Sequence, residues 1–437
     1  MRLALLTVID LLRCRLVFYY FQKYRSNGLT EKKSKIHLSE LKDLVGYLIK
    51  INYRDQKEVL ARIYDNKVGF DKLPILDKKY IQSSTSIDSL KIPANSVKVF
   101  TGGSTTGTPV AFIEDRRSMD YSRAFFYSAL YDLGWDFSKK WIKLWGRPQK
   151  KAGALNYFLN RYKNVSQNCK VFNAFEMSEE LFDGLYKYIK RNKVSHVYGY
   201  VNAVVEFGKY LKDKGLVVEL DFILTTAEVL TDYNRDFLSK VFDCAIYNGY
   251  ACTEINSVAY EKPGLDGLVV NTERVLVEIV DDNDEMVPHG VSGRILLTDL
   301  QKRTFPLVRY ETGDRGVLDS AKVNNVDVLV LRKIEGRVSD LIVLKNGKSI
   351  HSTVFQFHLA SFFKSRDVDL LQFQVIQNTT ESVTIRVKLA DTDPQTIKHD
   401  LRCHFEDLLE GFEVIIEINT IFDRAISGKI KYFIRNF

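Results

Sequence analysis

The 437-residue chain has little of what marks a secreted, fibrous or thiolate-metal protein. Its five cysteines, Cys14, Cys169, Cys244, Cys252 and Cys403, include no Cys-x-x-Cys pair. That scatter excludes a disulfide framework and a thiolate zinc site, and fits free thiols in a reducing cytoplasm. Eight prolines and 24 glycines are too few for low-complexity linkers, and no internal repeat is visible. Long apolar runs are missing as well. The opening stretch MRLALLTVIDLLRCRLVFYYFQKYR is broken by Asp10, Arg13 and Arg15, well short of the roughly 20 apolar residues a membrane span needs. It also has no small-residue cleavage site, so it makes a poor secretory signal. Nor is there a basic stripe for nucleic acid. The net excess of eight positive charges resides in residues 1–80, with 17 basic and 9 acidic side chains, and the remainder is neutral.

What is present is a large core-forming fraction, 45% hydrophobic and 12% aromatic, which excludes a disordered chain. At about 150 residues per domain this length predicts two or three domains. Residues 1–35 read as a basic amphipathic arm, expected either to pack on the main domain or to meet a membrane surface or a partner. Residues 38–66 have helical periodicity, and LPILDKKYI at 73–81 ends that segment. VKVFTGGSTTGTPVAFI at 97–113 reads as strand, loop, strand, with a helix from Arg116 to Leu133. From 140 to 300 short apolar strands alternate with helices, the pattern of an α/β domain with a largely parallel sheet. A more antiparallel stretch follows, with turns at DDND and HGVSG. Past Glu335 come a hairpin turning at Lys345-Asn346-Gly347-Lys348, a helix, two strands, another helix and a basic tail. The expected architecture is a large α/β domain over 1–335 with a β-rich subdomain, and a small α+β domain over 336–437.

Five motifs carry chemistry. TGGSTTGTPV at 101–110 sets seven Gly, Ser or Thr residues in a row after Thr101. Gly102 and Gly107 have the outer spacing of a Walker A loop, but Thr108 and Pro109 stand where its Lys-Ser/Thr belongs. Such a bend points consecutive N–H groups and hydroxyls inward, the makings of a phosphate cradle. YNGYACTEI at 247–255 places Gly249, Tyr250, Thr253 and Glu254 together. An aromatic can stack on a purine, and a carboxylate can take Mg²⁺. In VRYETGDRGVL, Asp314 lies in a turn where a carboxylate can accept both ribose hydroxyls. IEGRVSDLIVL places Arg337 at the domain junction, and SGKIKYFIRNF places Lys429 near the end of the chain.

In this order the five resemble the adenylate-forming superfamily of acyl-CoA synthetases. The nearest likeness is to phenylacetate–CoA ligases and their capsule-biosynthesis relatives, the CapK group. Chain length, the LPILDKKYI lead-in and a phosphate loop without Lys after Pro support that branch. The resemblance implies that Thr101, Gly102, Gly103, Ser104, Thr105, Thr106, Gly107 and Thr108 hold the ATP β- and γ-phosphates. Tyr250 would stack on adenine, Thr253 would meet the α-phosphate, Glu254 would hold Mg²⁺ and Asp314 the ribose. Arg337 would reach ribose or phosphate beside a hinge. Lys429, with Lys431 as the neighbouring alternative, would enter from a mobile C-terminal lid. Trp145, Tyr198 and Tyr200, with Gly249, would wall the acyl pocket.

The implied activity is ATP-dependent formation of an acyl-adenylate and transfer to coenzyme A, in surface or capsular polysaccharide biosynthesis. Transfer to a carrier-protein thiol or a sugar amine, or a scaffold that has lost turnover, stay open. The expected partners are a carboxylic acid, ATP and a thiol or amine acceptor. The expected location is cytoplasmic, with the arm allowing a place at the inner membrane face. Two positions depart from the family pattern. Glu261-Lys262-Pro263-Gly264 stands where many CapK-group relatives have metal-binding Cys and His, so no zinc is expected. Ala251 follows Tyr250 where Gly is usual.

Overall fold

The computed structural model describes residues 16–27, 32–77, 80–81, 96–100, 111–145, 167–174, 178–323, 326–337, 341–343, 349–351, 355, 358–359, 362–363, 365–366, 368, 370–389, 394–409, 411–423 and 433–436. The chain forms two compact units. One carries most of the residues through Ile334, and the other is built on Glu335–Phe437.

The large unit opens with α1 (Val17–Asn27), α2 (Lys32–Lys50) and α3 (Lys57–Tyr64). Strands β1 (Ser96–Phe100) and β2 (Ala111–Asp115) form an antiparallel pair in which Phe100 faces Ala111. Helix α4 (Arg116–Asp132) begins where the Asp115 carboxylate accepts from the Ser118 amide, an N-cap that satisfies one of the helix's orphan donors. Then β3 (Lys140–Trp145), β4 (Cys169–Asn173), α5 (Glu179–Asn192), β5 (Val194–Tyr200), α6 (Val201–Asp213), β6 (Phe222–Thr226), α7 (Asp232–Phe242) and β7 (Ala245–Cys252) alternate as the hydrophobic pattern predicts. Strands β4, β3, β5, β6 and β7 are parallel neighbours in that order. Every residue of β5 and β6 is buried, the signature of strands covered on both faces. Antiparallel β8 (Asn256–Glu261), β9 (Leu268–Val270), β10 (Val275–Val280), β11 (Ser292–Asp299), β12 (Tyr310–Val323) and β13 (Val326–Arg337) extend this sheet to eleven strands.

Burial inside the parallel half is complete enough to strip a histidine of its charge. His196 on β5 lies between the rings of Trp141 and Phe222, at 5.3 and 4.5 Å with near-parallel planes. Desolvation pushes its pKa down to about 3, because no water reaches the ring to solvate a cation.

Of the two readings of the arm, residues 16–27 take the first and pack on the large unit. Val17, Phe18, Tyr20, Phe21 and Tyr24 are buried in one cluster with Tyr121, Ala124 and Phe125 of α4. Tyr20 stacks on Tyr121 at 3.8 Å, and the Tyr24 hydroxyl donates to Asn271 Oδ1 at 3.0 Å. Arg25 pairs with Asp132 across the same contact. Residues 1–15 lie outside the described residues. Among those described, no helix is long and apolar enough to cross a membrane.

The small unit contains the paired β14 (Leu341–Val343) and β15 (Ser349–His351). The Lys345–Lys348 turn expected between them lies outside the described residues. Strands β16 (Leu370–Thr379) and β17 (Ser382–Leu389), helix α8 (Pro394–Leu408), β18 (Glu413–Ile418) and β19 (Phe433–Arg435) complete it, with sheet order β18-β17-β16-β19. Reading everything after α8 as a basic tail missed β18 and β19. The signal was present in Glu413–Ile418, where Val414 and Ile416 point inward and Glu413 and Ile415 outward.

Truncating a buried aromatic of α1 should be costly. Phe21→Ala is expected to lower the unfolding free energy by about 3 kcal/mol in urea denaturation. Burial pushes the phenols of Tyr20 and Tyr121 from 10.0 up to about 12. Because the folded value is the higher one, their contribution is complete below pH 10 and fades as pH climbs through 12. Denaturation midpoints measured across that window should fall in wild type and fall less in Tyr20→Phe.

Candidate functional site

The most chemically suggestive region of the large unit lies where the parallel half of the sheet gives way to the antiparallel half. Strand β7 ends in Gly249, Tyr250, Ala251 and Cys252, and a tight turn through Thr253 and Glu254 leads into β8. Asn256 opens β8 in the left-handed region, with φ 64°. The β7–β8 register slips between Tyr250 and Ala251, a bulge that re-aims the strand end. Ala251 stands at this slip.

Two tyrosine–carboxylate pairs organise the region. The Tyr250 hydroxyl donates to Asp314 Oδ2 at 2.7 Å, and the Tyr310 hydroxyl donates to Glu254 Oε1 at 2.6 Å. Tyr250, Tyr310 and Glu254 are all buried. Burial, reinforced by the Asp314 charge, holds the Tyr250 phenol well above its ordinary value, so it keeps the proton it donates. Asp314 is itself seated by a second bond, its amide donating to Thr312 Oγ1 at 3.0 Å. Thr253 is exposed at the tip of the turn.

The aromatic residues expected in the acyl pocket are neighbours. Trp145 lies 5.6 Å from Tyr198 and 4.7 Å from Tyr200, centroid to centroid, and the Lys143 ammonium sits 3.9 Å above the Trp145 ring. Tyr198 and Tyr200 are buried, whereas Trp145 is half-buried. Gly249 is buried with them. A Cβ there would stand 2.4 Å from Cε1 of Tyr260, so only glycine lets β7 pass this ring. Thr226 on β6 donates to the Gly249 carbonyl at 3.0 Å, tying the two strand ends together.

Several expected site residues lie outside the described residues: Thr101, Gly102, Gly103, Ser104, Thr105, Thr106, Gly107, Thr108, Lys429 and its alternative Lys431. Arg337 is the last residue of β13, and its side chain is also outside. Glu261 forms an ion pair with Arg235 at 2.7 Å and accepts from the Asn248 amide, while Lys262 pairs with Asp132 at 2.7 Å. Among the described residues, no three His, Cys, Asp or Glu side chains group around a metal position. Reading the motifs gave no part to Tyr310, although it stands in the quoted segment. It also passed over Glu114 and Lys302, a buried pair at 2.5 Å. No local pattern marks these residues, because only the tertiary contacts give them meaning.

The fold is shared with a solved acyl-CoA ligase and a solved amide bond synthetase. 2-Hydroxyisobutyryl-CoA ligase, crystallised in the postadenylation state with R3-HIB-AMP, matches with a TM-score of 0.71 at 14% identity, over 92% of this chain and 89% of that one. The amide bond synthetase McbA from Marinactinospora thermotolerans matches with a TM-score of 0.50 at 15% identity, over 85% of this chain and 76% of that one. In sequence, the chain is 24% identical to Protein CapK of Staphylococcus aureus over 349 residues, 77% of this chain and 74% of that protein. No family model matches the chain.

Two substitutions test the local geometry. Gly249→Ala should cost about 1–3 kcal/mol of unfolding free energy, because a methyl cannot share space with the Tyr260 ring. Tyr250→Phe removes a donor to a carboxylate and should cost about 2 kcal/mol. Urea denaturation at neutral pH measures both.

Proposed function

We propose that this chain activates a carboxylic acid with ATP, releasing pyrophosphate, and passes the acyl group to coenzyme A. The observation that carries the reading is the pair of tyrosine-held carboxylates, Asp314 and Glu254, standing in motif order on this fold. In the first step a substrate carboxylate oxygen bonds to the α-phosphorus, and the bond to the pyrophosphate oxygen breaks. In the second, the thiol gives its proton to solvent, its sulfur attacks the acyl carbonyl, and AMP leaves with the electrons of the carbon–oxygen bond.

Each residue then has a task. Thr101 to Thr108 supply N–H and hydroxyl donors to the phosphates, Tyr250 stacks on adenine, and Asp314 takes the ribose hydroxyls. Thr253, exposed at the turn, meets the α-phosphate, and Arg337 meets ribose or phosphate. Lys429 brings a positive charge needed only in the first step, which suits residue delivery by a mobile domain spanning 336–437. Glu254 fits Mg²⁺, since that ion takes hard oxygens from one or two carboxylates plus substrate phosphates and needs no larger cage. Bound there, the ion would offset the charge gathering on the departing pyrophosphate. Trp145, Tyr198, Tyr200 and Gly249 border the acyl group, and a phenylacetate-like acid suits such aromatic walls.

The identity to Protein CapK, added to the motif likeness, supports a place in surface or capsular polysaccharide biosynthesis, at a cytoplasmic location where ATP is at hand. Likeness in fold to an amide bond synthetase favours a second reading, in which an amine takes the acyl group instead of the thiol.

Pyrophosphate exchange into ATP across a panel of carboxylic acids, with and without coenzyme A, tests the proposal. Exchange with any acid is the expected result, and no exchange with any would overturn it. AMP release that rises only with coenzyme A selects the thioester route, and release driven by an amine selects the other. Lys429→Ala should slow exchange by about 100-fold or more while sparing thioester formation from supplied acyl-adenylate. Equal loss in both would remove Lys429 from its first-step role. Asp314→Ala should raise the KM for ATP by roughly 10-fold or more.

A further inference from the structure

We propose that Lys302, anchored by Glu114, is a positioning residue that sets where the carboxylate of Glu254 stands relative to the strand leaving the phosphate loop. The inference rests on the adenylation reading and extends it to residues that the motifs leave without a role.

Lys302 is completely buried, an arrangement lysine tolerates only with partners for its charge. Its ammonium donates to Glu114 Oε2 at 2.5 Å and to the main-chain carbonyl of Glu254 at 3.1 Å. It also lies 4.6 Å from the ring centroid of Phe112. Phe112 and Glu114 are both on β2, the strand that resumes the chain directly after the Gly/Ser/Thr segment. One ammonium therefore ties that strand to the β7–β8 turn.

Glu254 is held at both ends as a result. Lys302 fixes its peptide carbonyl, and Tyr310 fixes its carboxylate. The anchor is itself braced. Glu114 Oε1 lies 3.4 Å from both Ser118 Oγ and Asn256 Nδ2, and Ser118 donates to Asp299 at 2.7 Å. Arg274 Nη2 donates to Asp299 at 2.7 Å and to Ser118 at 2.9 Å.

A buried ion pair is a poor device for stability alone, since apolar side chains of similar volume fill the space as well. What it supplies is a single allowed geometry. The phosphates are to be gripped by the loop before β2 and the ion by Glu254, so the spacing of those two grips has to be kept. Lys302 touches both supporting segments, Glu114 and Phe112 on β2 and the Glu254 carbonyl in the turn.

Nucleotide binding without turnover tests this. ATP and AMP affinities of the full-length chain are measured by calorimetry, with Mg²⁺ or with EDTA and with no carboxylic acid present. In wild type Mg²⁺ should tighten ATP binding. In Lys302→Met that tightening should shrink by about 10-fold or more, the usual cost of losing a residue that orients a metal ligand. AMP engages Tyr250 and Asp314 without the terminal phosphates, so its affinity should stay within about 2-fold.

Lys302→Met leaves Glu114 buried without its cation, so Lys302→Met/Glu114→Gln is measured beside it. That double variant removes both charges and should show the same loss of Mg²⁺ dependence. Full Mg²⁺ dependence in either folded variant overturns the inference and leaves the adenylation reading standing. Equal loss of AMP and ATP affinity in both variants also overturns it, reducing Lys302 to a structural staple. Wild-type chain that neither binds ATP nor exchanges pyrophosphate overturns the adenylation reading and this inference together.

Discussion

Two phenolic hydroxyls govern the candidate site. Tyr250 and Tyr310 each donate to one carboxylate, Asp314 and Glu254, at 2.7 and 2.6 Å. A carboxylate withdrawn from water needs donors to hold its orientation, and each hydroxyl supplies one; at Tyr250 burial also keeps the phenol protonated. Everything else near these groups serves their placement. The bulge after Tyr250 aims the strand end, the left-handed Asn256 closes the turn, and the β6 threonine holds the neighbouring carbonyl.

Behind this surface the large unit joins distant segments through buried acidic side chains. Asp115 caps α4 and also accepts from the Arg303 amide, joining a helix start to the segment after β11. Glu114, the residue before it, meets Lys302 in the interior. Adjacent acidic residues at one strand end thus stabilise two different connections. In the parallel half the opposite tactic prevails. His196 is held neutral between the aromatic rings of Trp141 and Phe222.

The relation of arm to domain shows how packing settles what charge leaves open. A basic helix with an aromatic face satisfies the requirements of a membrane surface and of a protein groove alike. Residues 16–27 resolve in favour of the groove because the aromatic face finds matching rings on α4, with Tyr20 and Tyr121 in stacking contact and the Tyr24 hydroxyl satisfied by Asn271. The arm's positive charge is answered in part by Asp132. That acidic partner lies 107 positions away in the chain, beyond the reach of any local pattern.

Strand and helix alternation was legible from 140 to 252, because period-2 and period-3.6 burial are written directly into side-chain order, but the expected continuation to 300 is wrong: from Asn256 onward strands follow one another with no helix between them. Tyr250, Glu254 and Asp314 stood out in the sequence as polar and aromatic residues at close spacing, and the structure brings Tyr250 to Asp314 and Glu254 to Tyr310. β18 and β19 were harder to see. Short strands carry few alternations, and their pairing with β17 and β16 is what makes them strands at all. Composition and order thus determined, unaided, the α/β class. Tertiary structure alone decided which hydroxyl holds which carboxylate, that Gly249 is required by the ring of Tyr260, and that Lys302 belongs with Glu114 and Glu254. Those relations join segments up to 188 positions apart, and a buried contact at such separation exists only once the sheet has brought its strands together.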